Sequence, residues 1–459
     1  MRDLLPDEAR RRRALGQRVL DHFGLHGYDL VTLPAFEFAD VLERGLGTLD
    51  AADVLRFIEP ESGEVAALRP DMTPQIARLV ATRLTSAPWP IRLCYEGTVV
   101  RRRPGRARRH RQVAQAGVEL YGVGTLTGDL EILRLLASVV REAVGLDRFV
   151  VDVGHARIAR ALLGAAPAAI LEALSDALEQ KDASRLEAVL ADPAAAGVPP
   201  RVAAAIAALP DLQGGGASDP EGRAVLARAE DLLAGTGAEA PLAELRALWE
   251  AALASPELRE VVRLDLGEIR GLAYYTGAIF HVLAEGPGEP IASGGRYDDL
   301  LGRFGAPMPA VGFALHLDAV GRAREAAGIA EPAPPRVVVA IAGPLGDAVA
   351  TALREAGVAA LLHAPDADPE GHGRAWGCSH AARERAGAIV IARLERGEER
   401  GEKRGEERGE ERGEETLIEV PDPAGGAGGA GGADMIAAIR AWSEKARTAP
   451  RPALVGSTE

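Results

Sequence analysis

Arg270-Gly-Leu-Ala-Tyr-Tyr-Thr-Gly277, followed by Gly294-Gly-Arg-Tyr-Asp298, is the stretch from which the fold is read. Leu272, Tyr274, Thr276 and Ala278 fall on one face of a period-two strand, and Ala273, Tyr275, Gly277 and Ile279 on the other. Gly286-Pro287-Gly288 is a turn signal, so two antiparallel strands are expected to follow each other. Adjacent tyrosines on a strand point to opposite faces. One ring can then line a pocket while the other packs behind it. Gly294-Gly295 lets backbone approach closely, because glycine carries no side chain. On spacing alone the stretch also fits a core hairpin with aromatic filler.

The chain of 459 residues has room for two or three domains. Its net charge of −14 argues against broad, non-specific nucleic-acid binding. Two cysteines, Cys94 and Cys378, make no disulfide framework and suit a reducing cytosol. The opening Met1-Arg-Asp-Leu-Leu-Pro-Asp7 is too charged for a signal peptide, and no apolar run reaches the length of a membrane span. The expectation is a cytoplasmic protein.

Pro6 suits the first turn of a helix, with Asp7 and Glu8 near its positive end and Leu15, Val19 and Phe23 on one stripe. Gly24 to Gly27 ends it, and Tyr28 to Leu33 reads as a strand stopped by Pro34. Ala67-Leu-Arg-Pro-Asp-Met-Thr73 precedes an amphipathic helix from Ile76 to Leu84. Ile91 to Val100 reads as a strand leading into the arginine-rich run Arg101 to Arg111 and then Gln115-Ala-Gly-Val-Glu119. By itself the arginine run is a solvated loop or an anion-binding patch, and too few aromatics interleave with it for base stacking. A helix is expected over Asp129–Val144, a strand over Phe149–Val153, and a helix starting at His155. Residues 162–256 are alanine- and leucine-rich and read as a helical insertion without chemistry, with Ser184-x-x-Glu187 at capping-box spacing. Val261 to Leu266 is a strand by alternation. It is followed by Val311-Gly-Phe-Ala-Leu-His-Leu-Asp-Ala-Val320 beyond the central stretch.

These segments, in this order, resemble the motifs of class II aminoacyl-tRNA synthetases. The central stretch resembles the histidine pocket of histidyl-tRNA synthetases and of their paralogue, the ATP phosphoribosyltransferase regulatory subunit. The resemblance covers roughly Met1 to Glu325 and implies an α+β fold, an antiparallel sheet flanked by helices. It implies self-association through the motif 1 region around Pro34. It also implies a histidine-binding set of Asp71, Thr73, Gln115, Glu119, Arg270, Tyr274 and Tyr275. On the nucleotide side the chain departs from an active synthetase. Arg101 matches the arginine that grips the α-phosphate, but Arg103 reverses the charge of the acid that reads the adenine amino group. His316 replaces a small glycine against which ATP lies, and Ala319 replaces the arginine that neutralises the γ-phosphate. Losing that charge-assisted contact costs roughly 1.5–3 kcal/mol. An amino-acid pocket without an ATP pocket implies a non-catalytic chain, a pseudoenzyme with no cofactor and no metal. Its partner would be a short-form catalytic subunit in the first step of histidine biosynthesis, and L-histidine its effector. The alternatives are an active histidyl-tRNA synthetase and an RNA-binding module using the arginine loop, with nucleic acid disfavoured by composition.

Past a linker at 326–335, residues 336–459 read as a small α/β domain, with strands at Val337–Ile341, Ala359–His363 and Ala388–Ala392 and a helix at Pro344–Ala356. It contains a low-complexity loop at 396–416, a glycine-rich spacer at 424–433 and a final helix from Met435 to Ala446. His363, His372, Cys378 and His380 match no zinc spacing. Stoichiometry and the partner-binding surface are not legible in the sequence.

Overall fold

A computed structural model describes residues 3–46, 54–100, 111–124, 126–215, 220–268, 274–331, 335–362, 368–385, 388–394, 415–419 and 431–448. The chain divides into two compact units, Met1–Ala330 and Glu331–Glu459.

The first unit opens with α1 (Pro6–Leu25), whose Leu15, Val19 and Phe23 are buried as the four-residue spacing requires. The strand expected over Tyr28–Leu33 is only β1 (Asp29–Leu30), paired in parallel with the start of a long strand. The chain then leaves the main sheet. Strand β2 (Phe36–Phe38), α2 (Ala39–Leu46), β3 (Arg56–Ile58) and β4 (Val65–Leu68) follow, and the three strands form a small sheet of their own in the order β2-β4-β3.

Helix α3 (Thr73–Arg83) starts three residues earlier than the apolar spacing indicated, because Pro74 occupies its first turn. Strands β5 (Ile91–Val100) and β6 (Gln112–Tyr121) form a ten-residue antiparallel pair. Next come α4 (Leu126–Ser138) and β7 (Val150–His155). The expected single helix to Val144 is interrupted, since Val139–Val144 widens into a π-helical turn closed by Gly145 in the left-handed region. His155 accepts a hydrogen bond from the Arg157 amide and so caps α5 (Ala156–Gly164).

The described part of residues 162–256 is mostly helical: α6 (Ala168–Glu179), α7 (Ala183–Leu190), α8 (Pro200–Ala208), α9 (Pro220–Leu233) and α10 (Glu239–Leu253), with a two-residue β8 (Gln213–Gly214). The capping-box reading at Ser184 is corrected. Asp182 caps α7 by accepting from the Arg185 amide at 3.0 Å, which places the cap two residues earlier.

Strands β9 (Val262–Asp265), β10 (Ala278–Leu283), β11 (Ala292–Arg296) and β12 (Ala310–His316) complete the main sheet, and α11 (Leu317–Ala326) follows. Its order is β1-β5-β6-β12-β11-β10-β7-β9-β8. Pairing is antiparallel except at β1–β5 and β7–β9. One face carries the larger core, into which α1, α4, α5 and α11 send Phe23, Leu136, Leu162 and Val320. The other face carries a second core around Met72, Ile76, Tyr95 and Tyr297.

One expectation about the central stretch fails. β10 begins only at Ala278, and Tyr274 to Gly277 is irregular. The Thr276 amide donates to the Arg296 carbonyl at 2.7 Å and the Ala156 amide to the Gly277 carbonyl at 2.9 Å. Those bonds take the backbone groups that a regular strand pairing would use. The two tyrosines therefore do not point to opposite faces; their ring centroids lie 4.7 Å apart.

The second unit has a five-stranded sheet, β14-β13-β15-β16-β17, built from β13 (Arg336–Val339), β14 (Ala359–Leu362), β15 (His380–Arg385), β16 (Ala388–Arg393) and β17 (Glu415–Glu419). Helices α12 (Gly343–Glu355), α13 (Pro369–Ala375) and α14 (Gly431–Thr448) complete it. The low-complexity segment as far as Glu414, and the spacer as far as Ala430, lie outside the described residues. Strands β15 and β17 and helix α13 were not foreseen. α14 starts inside the glycine-rich spacer. Among the described residues no helix is long and apolar enough to cross a membrane.

Candidate functional site

Strand β6 sends Gln115 and Glu119 to the same face of the main sheet as β5 sends Tyr95, and both are buried. Pairing across the sheet sets Gly312 beside Glu119, Gly295 beside Gly312, Ile279 beside Gly295 and Gly154 beside Ile279. Three of the four residues next to Glu119 along this row lack a side chain. The sheet there is mostly bare backbone, and the Glu119 side chain lies over Gly312 at one end of the row.

The N-terminus of α3 forms one wall. The Thr73 amide donates to Asp71 Oδ1 at 3.3 Å, and the Thr73 hydroxyl donates to Glu119 Oε1 at 2.7 Å. Thr73 thus bridges the two carboxylates. The Tyr274 hydroxyl donates to Asp71 Oδ2 at 2.9 Å, and the Tyr297 hydroxyl donates to Glu119 Oε2. The rings of Tyr274 and Tyr297 meet edge to face with centroids 5.8 Å apart, and Tyr275 lies over Gly295. The Arg160 guanidinium holds the Tyr275 carbonyl at 2.9 Å, which fixes the tyrosine loop to α5.

Burial, reinforced by the Asp71 charge, pushes the Glu119 carboxyl up to about 8, while the two hydroxyl donors pull it partly back. The same burial and the same carboxylates raise Tyr274 and Tyr297 well above the ordinary phenol value, so both remain neutral donors. Among the described residues no lysine, arginine or histidine forms an ion pair with Asp71 or Glu119. Arg69, two residues before Asp71, is tied to the Leu33, Pro34 and Thr98 carbonyls at 2.9–3.0 Å. An acidic pair served only by hydroxyls and amides favours a ligand that brings its own positive charge.

Asp71, Thr73, Glu119, Tyr274 and Tyr275 therefore come together. Gln115 lies on the same face with its Oε1 buried and unpartnered among the described residues. Arg270, Arg101 and Arg103 lie outside the described residues. Tyr297 was not picked out from the sequence as a pocket residue. The signal was present, because it follows the Gly294-Gly295 pair in the quoted stretch, and the alternation of β11 puts it on the face of Gly295.

Met72 packs into the second core against Gly97 and is 1% exposed, so it takes no part in the pocket floor. His316 ends β12 opposite Gln115, buried, with its Nδ1 3.1 Å from the Pro290 carbonyl. Ala319 sits in the first turn of α11 and is buried in the larger core.

The family model described as histidyl-tRNA synthetase matches residues 1–320. An ATP phosphoribosyltransferase regulatory subunit of Anaeromyxobacter dehalogenans is 47% identical over 331 residues, covering 71% of this chain and 90% of the relative. The chain belongs to the ATP phosphoribosyltransferase regulatory subunit family. Within solved structures, one described as an ATP phosphoribosyltransferase regulatory subunit/histidyl-tRNA synthetase from Bacillus halodurans superposes with a TM-score of 0.68 at 28% identity, covering 82% of this chain and 94% of that one. A histidyl-tRNA synthetase from a Nostoc species reaches 0.66 at 20% identity over 96% of this chain and 97% of its own, a likeness of fold alone. The family thus carries the class II synthetase-like fold on which the pocket is built.

Proposed function

We propose that this chain is the non-catalytic regulatory subunit of ATP phosphoribosyltransferase, a cytoplasmic protein that works with a short-form catalytic subunit in the first step of histidine biosynthesis. Its inherited amino-acid pocket binds L-histidine and couples it to the activity of the assembly. The observation that carries this reading is the acidic pair Asp71 and Glu119, bridged by Thr73 and faced by Tyr274 and Tyr297, with no cation against it among the described residues. The ammonium and imidazole of histidine supply the positive groups such a pair lacks. On the nucleotide side, buried His316 adds bulk beside Gln115, and Ala319 offers no charge to a phosphate. Self-association belongs to the same reading and is assigned to the region around Pro34. There Phe36, Phe38 and Phe57 share one largely solvent-facing side of the small sheet.

The test is formation of phosphoribosyl-ATP by a short-form catalytic subunit with and without this chain, then with added histidine. Activity that needs both chains and falls with histidine supports the proposal. No stimulation by this chain refutes the regulatory role, and histidine-dependent pyrophosphate exchange with ATP in the isolated chain favours the synthetase alternative.

A further inference from the structure

Glu119 is 1% exposed, and its surroundings are unusual for a carboxylate. From α3 it meets the Thr73 hydroxyl, with the Asp71 carboxylate just behind. From the end of β11 it meets the Tyr297 phenol. From β12 it meets only the backbone of Gly312, across which its side chain lies. Among the described residues, Tyr95 on β5, Tyr121 on its own strand and Tyr274 on the tyrosine loop are the other titratable groups that feel its charge. All are phenols, and all stay neutral. The one charged group among these neighbours is Asp71, of the same sign. Two hydroxyls offset only part of what an anion loses on leaving water.

We propose that the empty pocket stores a proton on Glu119 and hands it to the side-chain ring of the incoming amino acid, so that the pocket selects ligands whose side chain is a proton acceptor. This rests on the reading of the site as a histidine pocket. The transfer is simple: the O–H bond of the Glu119 carboxyl breaks, and an N–H bond forms at the unprotonated ring nitrogen. A buried imidazolium–carboxylate pair is left, with Thr73 and Tyr297 still donating to the anion. No proton need be drawn from solvent near neutral pH, since burial has already placed the carboxyl near 8. Asp71, bonded by Tyr274 and the Thr73 amide, is the acid left for the ligand's ammonium.

The experiment combines two measurements on the full-length chain near neutral pH. Ring-labelled (15N) L-histidine reports by NMR whether the bound ring is imidazole or imidazolium. Calorimetry in buffers of different ionisation enthalpy counts the protons exchanged with solvent. The expected result is a bound imidazolium with close to no proton taken from the buffer. In Glu119→Gln the bound ring should turn neutral and histidine affinity should fall by about tenfold or more. Triazolylalanine, of the same shape but a far weaker base, should lose affinity for the wild type by a similar factor and discriminate little in Glu119→Gln. A neutral bound ring in the wild type overturns the proposal while leaving the histidine pocket in place. So does an imidazolium that takes one proton from the buffer. Absence of any histidine binding removes both.

Discussion

Gly312 faces Glu119 directly across the sheet, and a β-carbon on it would overlap Glu119 Oε2 and press on the Val118 carbonyl. A single methyl group at this position therefore acts on the pocket's central acid. In Gly312→Ala the carboxyl must turn away from Thr73 and Tyr297. We expect histidine binding to drop by tenfold or more, with a loss of fold stability of about 1–3 kcal/mol from overpacking. Calorimetric titration and thermal melts check the two effects separately, and an unchanged affinity would mean that the ligand does not use Glu119.

Asp71 and Tyr274 form a second pair that can be dissected. Asp71→Asn keeps the shape and removes the charge, and histidine affinity is expected to fall by about 10- to 100-fold. Tyr274→Phe removes one hydrogen bond to Asp71 and is expected to weaken binding by about 1 kcal/mol. If the Tyr274 hydroxyl acts through Asp71, the double variant loses less than the sum of the two. Additive losses would separate the residues' roles.

Stability of the ligand-free chain should carry the signature of Glu119. Its folded-state value is raised from 4.5 to about 8, so the folded chain binds the proton more tightly than the unfolded chain. Its stabilising contribution is complete below pH 4.5 and is lost as pH rises through about 8. The slope from this one group reaches at most ~1.4 kcal/mol per pH unit. Denaturant unfolding of the wild type and Glu119→Gln across this window should differ by a term that grows against the wild type with rising pH. Parallel curves would show that Glu119 is already ionised.

The aromatic side of the small sheet predicts an association surface. Phe36 and Phe57 touch edge to face at 5.5 Å, yet are 43% and 37% exposed. Polar substitutions there, such as Phe57→Ser, are expected to shift sedimentation toward the monomer, while histidine binding by each chain changes little. An oligomer unaffected by changes at Phe36, Phe38 and Phe57 would place the contact elsewhere.

How much of this was legible in the sequence depended on what fixes each part. Strand β5 could be bounded to the residue, because strand patterning and turn chemistry are local, whereas Gln115 and Glu119 were named only through the family resemblance. The tyrosine loop was misread for the opposite reason. Tyr274 and Tyr275 have strand-like alternation, but their backbone is claimed by Arg296 and α5, partners distant in sequence. Tyr297 escaped notice because its role depends on Glu119, 178 residues away. The small sheet was missed because Phe36–Phe38 and Arg56–Ile58 are three-residue strands, too short for any periodicity to register.

The row of Gly312, Gly295 and Gly154 has a consequence for redesign. A surface paved with backbone has almost nothing to mutate except by adding bulk, and bulk there collides with neighbouring carbonyls or rings. Shape is therefore locked into the sheet, whereas the polar groups stand on posts around it: Asp71 and Thr73 on one side, Tyr274 and Tyr297 on the other. A library aimed at a new effector should leave the paving untouched and vary the posts.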